Sequence, residues 1–340
     1  MIDLPADSSK WAEFVRTRNN SMVFHDPAWV LLLGECYGFR AFALALTDAE
    51  DEIIGGLPMI EVMRRFREPR WVSLPFTDVC PPLVDNNMLE RLGEELVRIR
   101  DRVSVAEIEI RSALPSALAR QTRVVLTHTL KLDPDPDVVM NRVRASVLRN
   151  VRKAERNGLI ISFGESEHDL TDTFYELHLQ TRRRLGLPIQ PRRFFRLLWQ
   201  RMLEQRRGFL LLAHHHTEPV AGAVFLVSKQ TVLYKYGASD AAHWHLRPND
   251  LLFARAIRSG CELGYETFDF GRTDPESESL RRFKLGWGCT ENTIPYSSIG
   301  GTGGNYTGRL PAWKFGRTMI RHSPPWVGRV IGEMLYRRTA

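Results

Sequence analysis

Asp269, Arg272, Asp274 and Lys284 fall within one short stretch, Thr267 to Gly288, which reads TFDFGRTD, a polar gap, then LRRFKLGWG. Carboxylates and cations gathered at a strand end can hold an anion or orient an amine, and α/β proteins usually place their sites there. A fixed ammonium such as Lys284 can stabilise negative charge that develops beside it. Asp269 can orient a substrate amine or pair with Lys284. The plainer meanings are a surface lysine beside Arg281 and Arg282 on a solvated turn, and a carboxylate bonded to nearby backbone. Phe268 and Phe270 alternate with Asp269, so a strand puts both rings on one face and the carboxylate on the other. Gly271, Gly286 and Gly288 point to backbone that bends sharply or admits a close ligand.

Other residues could serve the same chemistry. Tyr234, Lys235 and Tyr236 lie on a strand whose alternation places both tyrosines on one face, lining a channel or filling a core. Arg247 precedes a helix start marked by Pro248 and Asn249, where free N–H groups favour an anion. Arg142, Arg144, Arg149, Arg152, Lys153 and Arg156 form a basic run, with Arg149, Lys153 and Arg156 on one helical face. Such a run suits a polyanion, though a solvated face is its commoner meaning. Arg182, Arg183 and Arg184 make a second basic cluster. His214, His215 and His216 fall in a hairpin turn with no fourth ligand in view, so no metal is expected. The chain has no G-x-S-x-G, P-loop or H-E-x-x-H sequence, which removes serine hydrolase, P-loop NTPase and zincin readings.

The elements that must position these residues repeat. FALALTD and IIGGLPMIEV form a hairpin, followed by RWVSLPFTD and, after a helix, VAEIEIR. FLLLA and PVAGAVFLV form another, followed by TVLYKYGASD and TFDFGR. Each half reads helix, hairpin, third strand, helix, fourth strand, which predicts two similar α+β domains with mixed, largely antiparallel sheets. A single helix over about 136–157, after Asp133-Pro134-Asp135-Pro136, marks the boundary. The expected domains are 1–140 and 141–305, with a basic aromatic tail over 306–340. That tail carries Trp313, Phe315, Met319, Ile320, Trp326, Val330, Ile331 and Leu335. It suits either a membrane surface or packing on the domain, and Pro324-Pro325 breaks any continuous helix.

With 340 residues the chain has room for two domains, and its net charge of +7 favours phosphates, RNA or lipid headgroups. No DNA partner is expected. Cys36, Cys80, Cys261 and Cys289 form no C-x-x-C pair and read as free thiols in a reducing compartment. The N-terminus lacks a signal-peptide pattern, and no apolar run approaches a membrane span. A cytoplasmic protein is expected, with possible contact at the inner face of the membrane.

The segment from Thr267 to Gly288, with SVLRNVRKAERNG, RRRLGLPIQPRRFF and YKYGASD, resembles the Fem family of peptidoglycan-bridge peptidyltransferases. The GRTD and FKLGWG variants resemble its exosortase and exopolysaccharide-associated subgroup. The resemblance covers about residues 20 to 300 and implies two tandem domains of the acetyltransferase (GNAT) fold. It implies that Phe283 and Lys284 lie near the acyl donor, with Asp269 and Arg272 beside them. The donor it implies is an aminoacyl-tRNA, used as co-substrate without a bound cofactor. The acceptor is an amine on a cell-envelope precursor, contacted largely from the N-terminal half, where Trp29 and Asp78 match. Trp29 could equally be core and Asp78 a loop cap. Coenzyme A-dependent GNAT proteins hold pyrophosphate in a Gly-rich turn, whereas here the turn reads HWHLRPNDLLFARAI with no glycine. That departure disfavours acyl-coenzyme A. Two alternatives stand beside this reading: an N-acyltransferase using acyl-coenzyme A on an amino sugar of an exopolysaccharide, and a non-catalytic binding protein.

Overall fold

The computed structural model describes residues 1–64, 67–301 and 311–336, with backbone alone at 64, 67, 311–315, 325–326 and 334–335. The chain packs into two compact units. Among the described residues the first holds those up to 125, 293–301 and 334–336, and the second holds 126–292 and 311–333.

In the first unit the elements are β1 (Ile2–Pro5), α1 (Ser9–Thr17), α2 (Pro27–Tyr37), β2 (Arg40–Thr47), β3 (Ile53–Arg64), β4 (Arg67–Val72), α3 (Leu89–Val103) and β5 (Glu107–Ile110). The chain passes to the second unit within β6 (Arg120–Lys131). The start of α2 follows from FHDPAW: Asp26 accepts the Ala28 N–H at 2.8 Å and Pro27 takes the first helical position. Strands β1 to β4 are antiparallel neighbours, and β4 runs parallel to β5 with Trp71 opposite Ile108. Alternate residues of these strands, including Phe42, Leu44, Leu57, Met59 and Ile108, fill a core closed by Leu92, Leu96 and Ile99 of α3.

The second unit continues with α4 (Pro136–Met140), α5 (Ala145–Arg156), β7 (Leu159–Phe163), α6 (Tyr175–Leu185), α7 (Arg192–Leu198), β8 (Gly208–His215), β9 (Glu218–Ser228), β10 (Thr231–Ser239), α8 (Pro248–Glu262), β11 (Thr267–Asp269) and α9 (Glu278–Leu285). Then come β12 (Thr290–Gly300), α10 (Pro311–His322) and α11 (Pro325–Tyr336). Strands β7 to β10 are antiparallel, β10 is parallel to β11, and β11 is antiparallel to the end of β6. The repeat read in the sequence is therefore real. Helix, hairpin, third strand, helix and parallel fourth strand occur once as α2, β2, β3, β4, α3, β5 and again as α7, β8, β9, β10, α8, β11.

Two local expectations fail. The single helix over 136–157 is two helices, because Arg144 turns extended and its N–H bonds the Gly286 carbonyl at 3.0 Å. The two tyrosines of β10 do not share a face. Tyr234 opposes Phe225 and Tyr236 opposes Val224, so Lys235 is an extra residue that reverses the alternation. Tyr234 packs on Phe225 and Phe253, whereas Tyr236 meets His178, Phe194 and Phe195.

The bulge is completed by Gly237, where an added Cβ would lie 1.9 Å from the Tyr234 hydroxyl. Gly237→Ala is expected to destabilise the protein by about 1–3 kcal/mol, since the added methyl and the Tyr234 hydroxyl cannot both keep their places. In a Tyr234→Phe background the same change is expected to cost much less, and urea unfolding of the four variants reads the coupling. Equal costs in both backgrounds would show that this contact does not govern the site.

Helices α10 and α11 are separated by the turn at Ser323 and Pro324. Residues 311–333 pack with the second unit, where Arg317 donates to the Leu185 carbonyl at 3.3 Å and Ile320 is buried. The side chains of Trp313, Phe315, Trp326 and Leu335 lie outside the described residues. No helix among the described residues is long and apolar enough to cross a membrane.

Candidate active site

The end of β11 is built as the alternation requires. Phe268 and Phe270 are both fully buried, 4.8 Å apart, in the core with Phe253. Asp269 lies on the other side and accepts the Gly271 N–H at 2.8 Å. Gly271 has φ +69° and Gly288 φ +76°, so both bends need glycine. Gly286 differs. It is helical and is small because a Cβ would meet Val147 at 2.9 Å.

Lys284 sits in the last turn of α9, not on a solvated turn, and is 1% exposed. Its ammonium donates to the Gly271 carbonyl at 2.8 Å and the Arg272 carbonyl at 3.2 Å. Folding thus fixes a positive charge at the end of β11, and two backbone acceptors compensate its burial. Phe283 packs on Phe253 and Trp287, which holds α9 against the core.

Beside Lys284 lies a pair that the sequence did not reveal. Fully buried His128, on β6, has Nε2 3.0 Å from Glu291 Oε2, and Arg281 donates two hydrogen bonds to the same carboxylate. Burial, then the positive charge of Lys284, hold the imidazole below its ordinary pKa, so His128 is neutral at pH 7. The Arg281 hydrogen bonds lower the Glu291 carboxyl. Strand pairing brings His128 here across more than a hundred residues of chain, since β6 lies between β11 and β12, and β12 carries Glu291. Glu291→Gln is expected to cost about 1–3 kcal/mol, because one of the two carboxylate oxygens that serve Arg281 and His128 becomes an amide NH2 that donates instead of accepting. It also removes the charge that favours imidazolium, so the His128 NMR titration should move to lower pH. An unchanged titration would show that Glu291 does not govern the imidazole.

The remaining predicted residues are dispersed. Tyr234 is half-buried against the core, and desolvation pushes its hydroxyl up to about 12. Arg247, exposed, is the residue before α8 and adopts φ +66°, a conformation usually left to glycine. Arg149, Arg152 and Lys153 are exposed on α5, with Arg152 on the rim of a groove of about 840 Å³ between α5, β7 and α8. In the first unit Trp29 is buried and donates to Thr77 Oγ1 at 3.0 Å, so it serves the core. Asp78 is half-buried after β4, and its carbonyl accepts the Tyr296 hydroxyl. Of the three histidines expected in the hairpin turn, His214 and His215 end β8 and only His216 lies in the turn; His214 faces Ser162 Oγ at 3.0 Å, while the His215 and His216 rings lie 4.4 Å apart. Glu218, Asp240 and His243 instead gather within 4.8 Å as a possible cation ligand set.

Residues 141–284, from α5 to Lys284, match the family model of the acetyltransferase (GNAT) domain. Nothing among curated proteins matches the chain. Solved structures do. A FemX crystal structure is similar with a TM-score of 0.71 at 16% identity, covering 93% of this chain and 99% of FemX. L-PGS from Bacillus licheniformis gives 0.56 at 12% identity, covering 95% and 100%. The C-terminal domain of a putative lysylphosphatidylglycerol synthetase from Agrobacterium fabrum gives 0.55 at 14%, covering 85% and 93%.

The fold and matched domain define a tandem GNAT protein, and together they support an acyltransferase. The particular architecture is the Fem-like one that the sequence resemblance implied.

Proposed function

We propose that this chain is a Fem-type aminoacyltransferase, moving an aminoacyl group from tRNA to an amine of a cell-envelope precursor. The observation that carries the donor choice is the head of α8. Arg247 stands at left-handed φ, Pro248 supplies no N–H, and the buried Asp250 carboxyl occupies the first turn. Asn150 of α5 donates to Asp250 at 3.4 Å. A helix end of this kind offers a pyrophosphate fewer donors and a carboxyl group of its own. The exposed cations of α5 supply phosphate contacts without base recognition.

In the reaction the precursor's amine attacks the ester carbonyl, an amide forms, and the ester bond to the ribose breaks. The proton lost by the amine ends on the departing ribose oxygen. Lys284 lowers the energy of the oxyanion through its fixed charge, and Asp269 helps place the amine. Phe283 and Arg272 frame the donor, Arg247 contacts phosphate, and Tyr234 and Tyr236 shape the two faces of β10.

The GNAT domain match favours one second reading, transfer from an acyl-coenzyme A to an amino sugar. Binding to a charged tRNA pool and to coenzyme A thioesters, measured side by side at about 0.15 M salt, separates the two. Selective capture of charged tRNA is the expected result. Thioester binding alone would overturn the tRNA assignment.

A further inference from the structure

Trp244 is 46% exposed, a large apolar surface left in solvent just ahead of α8. It is nonetheless fixed. Its indole N–H donates to Ser239 Oγ at 2.9 Å, and the Arg184 guanidinium lies 4.5 Å from its ring centroid. Arg184 in turn donates to the Ser239 carbonyl at 3.2 Å. Ser239 is held by Thr181, whose hydroxyl accepts the Ser239 N–H at 3.1 Å, and Asn249 reaches Ser239 Oγ at 3.4 Å. One residue at the end of β10 therefore pins both an indole and a cation.

An exposed aromatic costs solvation, and burial around Arg184 holds the guanidinium below its ordinary pKa. A rigid ring backed by a cation is the arrangement on which nucleobases stack. We propose that Trp244 and Arg184 form a stacking platform for an adenine base. The proposal rests on the donor reading in one respect. Both donors considered, tRNA through its terminal adenosine and coenzyme A through its nucleotide, carry adenine.

The test follows the Trp244 indole N–H signal by NMR in the full-length protein titrated with AMP, with Trp244→Phe and Trp244→Ala as controls. A shifted signal is expected in the wild type, and calorimetry of AMP binding to all three proteins is expected to give an affinity roughly tenfold to a hundredfold weaker in Trp244→Ala and largely kept in Trp244→Phe. An unmoved signal, or equal affinity in all three proteins, would overturn the platform whatever the donor is. Coenzyme A and tRNA with or without its terminal adenosine then identify the source. Weaker binding of the trimmed tRNA supports tRNA, and a Trp244-dependent affinity for coenzyme A supports the thioester. If the wild type binds neither macromolecular nor thioester donor, the donor reading falls while the AMP result still decides the platform.

Discussion

Lys284→Met lowers turnover by about a hundredfold to a thousandfold, the size seen when one preorganised group that stabilises an oxyanion is removed. Methionine fills a similar volume, so the loss does not come from a cavity. It does leave the Gly271 and Arg272 carbonyls without the ammonium that now satisfies them. Hydrogen bonds to a charged group contribute about 1.5–3 kcal/mol, so the variant also melts at lower temperature. Assays must therefore run where circular dichroism shows the variant fully folded. Under that condition, loss of turnover with retained donor binding assigns Lys284 to the chemical step. Full turnover would show instead that the lysine only clamps the end of β11. Lys284→Arg does not rescue, because a guanidinium is too large for a site this closed.

The clamp that Lys284 makes on the end of β11 was not legible in the sequence, and the reason is physical. Two of the partners of Lys284 are backbone carbonyls, which every residue carries, so no side-chain pattern announces them. The hairpins and third and fourth strands were legible because period-two alternation and turn residues are local signals. The β10 bulge was not, since alternation assumes one residue per pair, and an extra one at Lys235 leaves no mark on residue type. The Gly-Trp-Gly turn was half legible. Gly288 bends at positive φ as expected, whereas Gly286 answers to packing against Val147, a contact set by the distant α5. His128 and Glu291 show the limit most plainly. Each is an ordinary residue in its own segment, and strand pairing alone makes them a pair beside Lys284.

Acid weakens both units through buried imidazoles. His25, in the first unit, accepts the Met22 N–H at Nδ1 and faces the Pro81 carbonyl with Nε2 at 2.8 Å. A second proton would set N–H against N–H, and burial first of all lowers the pKa to about 4. His178, in the second unit, lies between Phe174 and Phe195 with Nε2 3.3 Å from Gln190 Oε1. Burial and then the Arg182 charge lower it to about 3. In both cases the folded pKa lies below the unfolded value of about 6.5, so the unfolded chain binds more protons in acid. Stability is therefore full above pH 6.5 and is lost as pH falls toward 4 for His25 and toward 3 for His178. At about 1.4 kcal/mol per unit, His25 alone removes about 3 kcal/mol by pH 4. Urea unfolding from pH 7.5 to 4 is expected to show that fall, and hydrogen exchange should place it in both units. His25→Gln should be less stable at pH 7 yet shallower in its pH dependence. A wild-type stability that stays level across this range would mean that neither imidazole is held neutral by the fold.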